Sequence, residues 1–367
     1  MSLKIKIVCL ICFTLFQEVS PLNNRAQVIN RPDIIKFFND TDGFISTTKI
    51  DTNPESLKKA AKYALNLLNS AKDTDKKTIE PKIFSNKLVS LNKTKETLKF
   101  IIDIIKADKK SKYSYRILDP IFLNNYFKFI KWSGDVDGAK KHDKQIFDGA
   151  IYLTHYATFK LNGSYTKNSD YPFALYAIKN NLNNNWRYKI SKQDVISGKL
   201  ENSEYKNKIL PLAWVTREGL EEALMQGTSI IKMPDNKELI VCVDKNNGLA
   251  YDNNIKDRKD QQRYWFFKVI SKDKKFKKHN ILNLGGVVFA GDLYNIGLGK
   301  IIAIRYKNRV NENTEIRLGV LADTGGAFVN NLYQLDFYGG IFSSYKEFYD
   351  WVWPMPKNVQ AYVVIKK

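Results

Sequence analysis

Two hydrophobic periodicities divide this chain, and the change falls near residue 150. Ser56 to Lys72 puts Leu57, Ala60, Ala61, Ala64, Leu65 and Leu68 on one side of a 3.6-residue repeat, which predicts an amphipathic helix. Lys95 to Ala107 repeats the pattern with Leu98, Ile101, Ile102 and Ile105 inward, and a third apolar and aromatic segment, grouped with these helices, runs from Tyr115 to Trp132. From Ala150 onward the period shortens to that of strands, expected at Ile151 to Leu161, Trp186 to Ile190, Ser229 to Met233 and Glu238 to Val243. Further strands are expected at Tyr264 to Ile270, Ile281 to Phe289, Lys300 to Tyr306, Ile316 to Ala322, Tyr333 to Tyr338 and Ala361 to Ile365. Pro234-Asp235-Asn236-Lys237 reads as a hairpin turn and Arg217 to Gln226 as a helix; a last helix near Ser344 to Trp351 is opened by Ser344 and Glu347 at capping-box spacing. Many short strands with long, irregular connections predict a mainly β protein with N-terminal helices: a β-barrel and a second, smaller β-rich module.

Polar residues break this pattern most tellingly between Ile316 and Tyr338. One strand ends on Asp323, Thr324-Gly325-Gly326 follows as a turn whose glycines open backbone angles closed to residues with a Cβ, and the next strand delivers Asp336. Two acids on neighbouring strand ends in an apolar setting are a way to build a carboxyl group with a shifted pKa.

Composition narrows the classes. With 367 residues, 44% of them hydrophobic and 13% aromatic, the chain has material for two folded domains and is not a disordered protein. Its formal charge of +21 is spread along the chain without a dense tract, which gives a basic surface drawn to polyanions such as envelope polymers. Abundant Lys and Asn throughout make a compositional bias the simpler account of that charge. Lys4 and Lys6 precede an apolar run from Ile7 to Phe16, the layout of a secretory signal or an uncleaved N-terminal anchor over residues 1–20, and too short to span a bilayer. Only Cys242 lies beyond that run, which excludes a disulfide within the mature part, and the expected location is the periplasm or cell envelope. The loop from Ser133 to Asp148 lacks the closing acid and ligand spacing of a calcium loop, and His142, His155 and His279 are scattered; no metal and no cofactor are expected. Gly297 to Lys300 lacks the upstream Gly and the following Ser or Thr of a phosphate loop. No nucleic-acid partner is expected, and the chain is read as a monomer.

A series of short segments carries a resemblance. Gly291-Asp292-Leu293-Tyr294-Asn295-Ile296-Gly297-Leu298-Gly299-Lys300, Ala322-Asp323-Thr324-Gly325-Gly326-Ala327 and Leu335-Asp336-Phe337-Tyr338 resemble the C-terminal three-aspartate domain of peptidoglycan-cleaving proteins. Thr154-His155-Tyr156-Ala157-Thr158, Tyr171-Pro172-Phe173-Ala174-Leu175-Tyr176, Leu212-Ala213-Trp214, Met225-Gln226-Gly227-Thr228-Ser229, Met233-Pro234-Asp235 and Lys245-Asn246-Asn247-Gly248 narrow it. In family order, they resemble segments of the membrane-bound lytic murein transglycosylase A family, from about Pro54 to the end. The resemblance implies a double-psi β-barrel formed by residues 21–157 and 265–367, with a smaller β-domain inserted at 158–264 and a glycan strand held in a groove between them. It implies Asp336 as the single catalytic acid and base, with Asp323 beside it. Asp292, Gly325 and Gly326 are read as support of the site. Tyr156, Thr158, Trp214, Gln226, Gly227 and Lys245 are implied substrate contacts; for the aromatic ones core packing is the competing account. Departures fall at Gly297 to Lys300, where the family has Pro-Leu-Gly-Thr, at Ser229, at Ala157, and in a slightly longer stretch from Asp323 to Asp336.

The implied activity cleaves the MurNAc-GlcNAc bond of peptidoglycan to 1,6-anhydro ends, with inner or outer membrane association open. Two rival readings stand beside it. Asp323-Thr324-Gly325 is also the short signature of aspartic proteases, which this chain could satisfy only as a homodimer. A non-catalytic peptidoglycan-binding protein would keep the groove without turnover.

Overall fold

Helix ends in this chain are set by local side chains. In the computed structural model, which describes residues 31–41, 49–71, 76–112, 114–147, 149–179, 184–252, 254–270 and 281–367, the first long helix is Pro54–Ser70. Asn53 caps it by accepting from the Ser56 N–H, and Pro54 occupies its first turn. The second, Leu91–Ser111, is capped by Ser90 and ends where Lys112 turns left-handed at φ 58°. Leu57, Ala60, Ala61, Ala64 and Leu68 of the first and Leu98, Ile101 and Ile105 of the second are buried, and each large side chain so buried stabilises the fold by about 1.5–3 kcal/mol.

The strands are β1 (Phe38–Asp40), β2 (Lys49–Ile50), β3 (Phe127–Trp132), β4 (Ile151–Ser164), β5 (Phe173–Ile178), β6 (Ile209–Val215), β7 (Thr228–Lys232), β8 (Glu238–Asn246), β9 (Trp265–Val269), β10 (Val288–Ala290), β11 (Ile301–Lys307), β12 (Thr314–Asp323), β13 (Gln334–Phe342) and β14 (Asn358–Lys366). The protein is mainly β, with helices, and divides into two compact units.

Among the described residues the larger unit holds 31–156, 281–340 and 346–367. In it β14, β11, β12, β10, β13 and β4 pair in succession, and β4 pairs back to β14, so the run of strands returns to its start. Most pairs are antiparallel; β10 lies parallel to β12, and β2 adds to β12 in parallel. The smaller unit holds 157–270 and 341–345. There β4 runs parallel to β7, β7, β8 and β9 form an antiparallel series, and β6 pairs with both β4 and β5.

Several expectations need correction. The segment from Tyr115 to Trp132 is not one helix: a short helix, Pro120–Tyr126, is followed by β3, whose alternating Phe127-Lys128-Phe129 start gives it a strand face. Trp186 to Ile190 is a 3-10 helix, Asn185–Lys189, because the Arg187 side chain donates to the carbonyls of Asn184 and Asn246 and winds the backbone around it. Ile281 to Phe289 is split into a 3-10 turn and the short β10 by Gly285 and Gly286, the latter at φ 75°. The loop after Ser133 contains a helical turn, Val136–Lys140, capped by Asp135.

The N-terminal signal or anchor and His279 lie outside the described residues. No described helix is long and apolar enough to cross a membrane. Cys242 is fully buried; the other two cysteines, Cys9 and Cys12, lie outside the described residues.

Candidate active site

The short strand β10 brings the two acids together. Its last residue, Ala290, is the register partner of Asp323 on β12 and of Asp336 on β13. The two aspartates therefore flank one alanine, each backbone one strand spacing of about 4.8 Å away. The chain then doubles back: Gly291 N–H donates to the Asp323 carbonyl at 3.1 Å, and the Thr324 hydroxyl donates to the Gly291 carbonyl at 2.8 Å.

These bonds correct one expectation. Gly325 sits at φ −159°, ordinary extended backbone, and Gly326 opens a 3-10 turn, Gly326–Phe328. The turn is held by Thr324 and the Gly291 backbone, without left-handed angles at Gly325. Left-handed glycines do occur at Gly297 and Gly299, where the chain passes close to Pro81 and Leu68.

The two acids have different surroundings. Asp323 is 4% exposed and accepts the Tyr156 hydroxyl at 2.6 Å on Oδ2 and the Thr324 N–H at 2.8 Å on Oδ1. Burial pushes its pKa up to about 7; the two accepted bonds oppose that, and the charge of Asp336 adds to it. Asp336 keeps partial solvent access, yet its Oδ1 is buried and has no hydrogen-bond partner. Burial also pushes Asp336 up to about 7, opposed by the Thr154 hydroxyl. Accepted bonds favour the ionised form of a carboxylate, so when one proton is shared it rests on Asp336, the acid with the bare oxygen. The pair titrates as a unit.

Period-two geometry supplies the other groups. Thr154 and Tyr156 are two apart on β4, as Gln334 and Asp336 are on β13, so each pair shares a sheet face. Gln334 Nε2 donates to Thr154 Oγ1 at 2.9 Å, and Asn331 Nδ2 to Gln334 Oε1 at 3.1 Å, a polar chain leading toward Asp336. The Tyr156 ring packs on Tyr338, 5.0 Å between centroids. Sequence reasoning assigned no role to Thr154, Gln334 or Thr324, although the i, i+2 spacing was available as a signal. The residue between, His155, points elsewhere: it packs on Phe337 and Trp351, and burial and the charges of Arg317 and Arg309 lower it to about 4.

Asp292, two residues past Ala290, is fully buried and accepts the Asn295 N–H and side-chain amide at 3.1 and 2.7 Å. Burial raises it to about 7. Lys300 is also fully buried: it donates to Thr94 Oγ1 at 2.8 Å, and burial lowers it to about 7.

The remaining sequence-derived candidates belong to the smaller unit. Gln226 Oε1 accepts the Ala157 N–H at 3.1 Å, next to the buried Thr158. Gly227 closes the helix Arg217–Gln226 at φ 78°, a conformation that favours glycine. Trp214 is 8% exposed, edge-on to Tyr176, with Lys167 Nζ 5.5 Å from its ring centre. Lys245 sits at a bulge of β8 against β9. The described residues contain no group of three or more His, Cys, Asp or Glu placed to hold a metal.

No protein-family model matches the chain, and no curated protein matches its sequence. Solved structures do match. Escherichia coli MltA with bound chitohexaose superposes with a TM-score of 0.58 at 14% identity, covering 90% of this chain and 94% of that one. The chain has the fold of a lytic transglycosylase. A membrane-bound lytic murein transglycosylase from Agrobacterium tumefaciens gives 0.57 at 13% identity over 88% and 98%, and MltA from Neisseria gonorrhoeae 0.52 at 13% over 85% and 87%. At such identity the likeness concerns the fold over nearly the whole of both chains.

Proposed function

We propose that this chain is a peptidoglycan lytic transglycosylase of the membrane-bound lytic murein transglycosylase A family, acting in the periplasm or cell envelope. The observation that carries the reading is the unequal acid pair: Asp336 with a bare, buried Oδ1, and Asp323 held by Tyr156 and Thr324. The returning run of strands supports a double-psi β-barrel for the larger unit. The bound chitohexaose of the similar E. coli protein supports a glycan ligand. With one Asp-Thr-Gly in the chain and a fold-mate that binds a glycan, the protease reading has no support.

Glycosidic cleavage needs a proton on the leaving oxygen and stabilisation of an oxocarbenium-like centre. Hydrolases bring a second carboxylate for water. A transglycosylase does without it, because the muramoyl 6-hydroxyl of the same sugar attacks, and intramolecular attack carries a large effective concentration. Asp336 donates its proton to the glycosidic oxygen, then as carboxylate accepts the proton of that hydroxyl, leaving a 1,6-anhydro end. Burial keeps the proton on Asp336, and a negative charge on neighbouring Asp323 acts in the same direction.

Purified sacculi incubated with the wild type and with Asp336→Asn test this, the released muropeptides being weighed by mass spectrometry. Anhydro ends from the wild type are expected, with about 10²–10⁴-fold loss in the variant, the range for removing a general acid. Water-added ends would make the protein a hydrolase, and no release a binder. A raised carboxyl must be protonated to act, so the rate should fall as pH rises through about 7; a rate still climbing in alkali sinks the assignment of Asp336.

A further inference from the structure

A polar cavity of about 310 Å³ opens in the larger unit, apart from the acid pair, lined among others by Arg31, Lys36, Asp137, Lys141, His142 and Tyr333. Ligand cavities start at roughly this size. Its floor is Tyr333, 5% exposed, whose hydroxyl makes no hydrogen bond and whose ring packs on His142 at 5.9 Å and 26°. That hydroxyl is not among the buried unpartnered polar atoms, so it stays open to the cavity and free to donate to a ligand there.

The charges around the cavity are arranged in two groups. Arg31 is spent inside the wall: it donates to Asp33 at 2.9 Å and to Asp135, whose carboxylate also caps the Val136–Lys140 turn. Lys36 contacts Asp33 but keeps its side chain 60% exposed. Lys141 and His142 are exposed and make no side-chain bond. With the Tyr333 hydroxyl they offer donors to a carboxylate. Asp137, also exposed, offers the opposite charge to an amine.

Position matters as much as charge. Tyr333 and Asn330 belong to the segment that joins Asp323 to Asp336, and Asn330 turns that segment left-handed at φ 56°. A ligand in the cavity therefore touches the stretch that carries both acids. We infer that the cavity takes a short zwitterionic peptide, the carboxylate- and amine-bearing stem attached to the glycan strand, while the sugar chain lies at the acids. This rests on the wall-polymer reading above and extends it to substrate selection: strands with stems bind better than denuded ones.

Binding tests it without turnover. The full chain is titrated by calorimetry with a soluble stem tripeptide that ends in a diamino acid, with inorganic phosphate and acetate as controls. Saturable binding of the peptide is expected, weakened at least fivefold in a Lys141→Ala, His142→Ala double variant and in Tyr333→Phe, with phosphate and acetate failing to compete at equal concentration. No saturable heat in the wild type, unchanged affinity in the double variant, or equal competition by phosphate overturns the proposal. Both residues of the double variant are exposed, so it keeps the test intact even if Tyr333→Phe proves unstable. Absence of anhydro products from sacculi would defeat the enzymatic reading and leave this measurement to be read by itself.

Discussion

Asp323 and Asp336 have the same side chain and the same raised pKa, and their difference lies in the hydrogen bonds each accepts. Two neighbours of the pair should move the alkaline limb of activity in opposite directions. Tyr156→Phe removes a donor that favours ionised Asp323. Asp323 then holds its own proton to higher pH and no longer raises its partner, so the limb shifts to lower pH and the rate at neutral pH falls about tenfold. Thr154→Val removes a hydroxyl that lowers Asp336, and the limb shifts to higher pH. A pH–rate profile of each variant on sacculi is the measurement, and parallel shifts would contradict the division of roles. Asp336 could be picked out from sequence by its motif resemblance, whereas Thr154 and Gln334 are common polar residues whose relevance depends on strands far apart in the chain.

Elements decide where those residues end up. β10 is three residues long, yet both acids take their register from Ala290. Its Phe289 stacks on Phe337 at 4.5 Å and 18°, next to Asp336. Gly319 of β12 leaves room for that stack, since a Cβ there would fall 2.6 Å from the Phe289 ring. Gly319→Ala should push Phe289 aside, lower stability by about 1–3 kcal/mol, and reduce turnover through the displaced Asp336; a denaturant melt and a rate measured together check it. Unchanged stability would mean that the stack yields freely. The helices were legible because a 3.6-residue repeat and caps such as Asn53 and Ser90 are local. β10 was blurred because Gly285 and Gly286 break the run, and β5 and β6 because motif residues such as Tyr176 and Trp214 drew attention to chemistry, whereas both are buried and meet edge-on.

At the scale of the whole molecule, a charge of +21 spread over the sequence has no single site. Attraction of that kind is long-ranged and screened within about 8 Å at physiological salt. Cosedimentation with sacculi should weaken severalfold between roughly 0.05 and 0.5 M salt, while the stem-peptide cavity, whose floor is buried, should respond less. Insensitivity of sacculus binding to salt would assign the charge to composition alone.

The sequence by itself determined the alternation of helix and strand, the caps, the hairpin at Pro234 to Lys237, and the presence of two acids in an apolar frame. Those properties are local, fixed by neighbours within a turn or two. Only the tertiary structure decided that Asp323 and Asp336 flank one alanine and that Tyr156 reaches the first of them across 167 positions of sequence. It also decided that the Oδ1 of the second stands bare. A raised pKa comes from what surrounds a carboxyl in space, and in this protein most of that surrounding is supplied by strands distant in the chain.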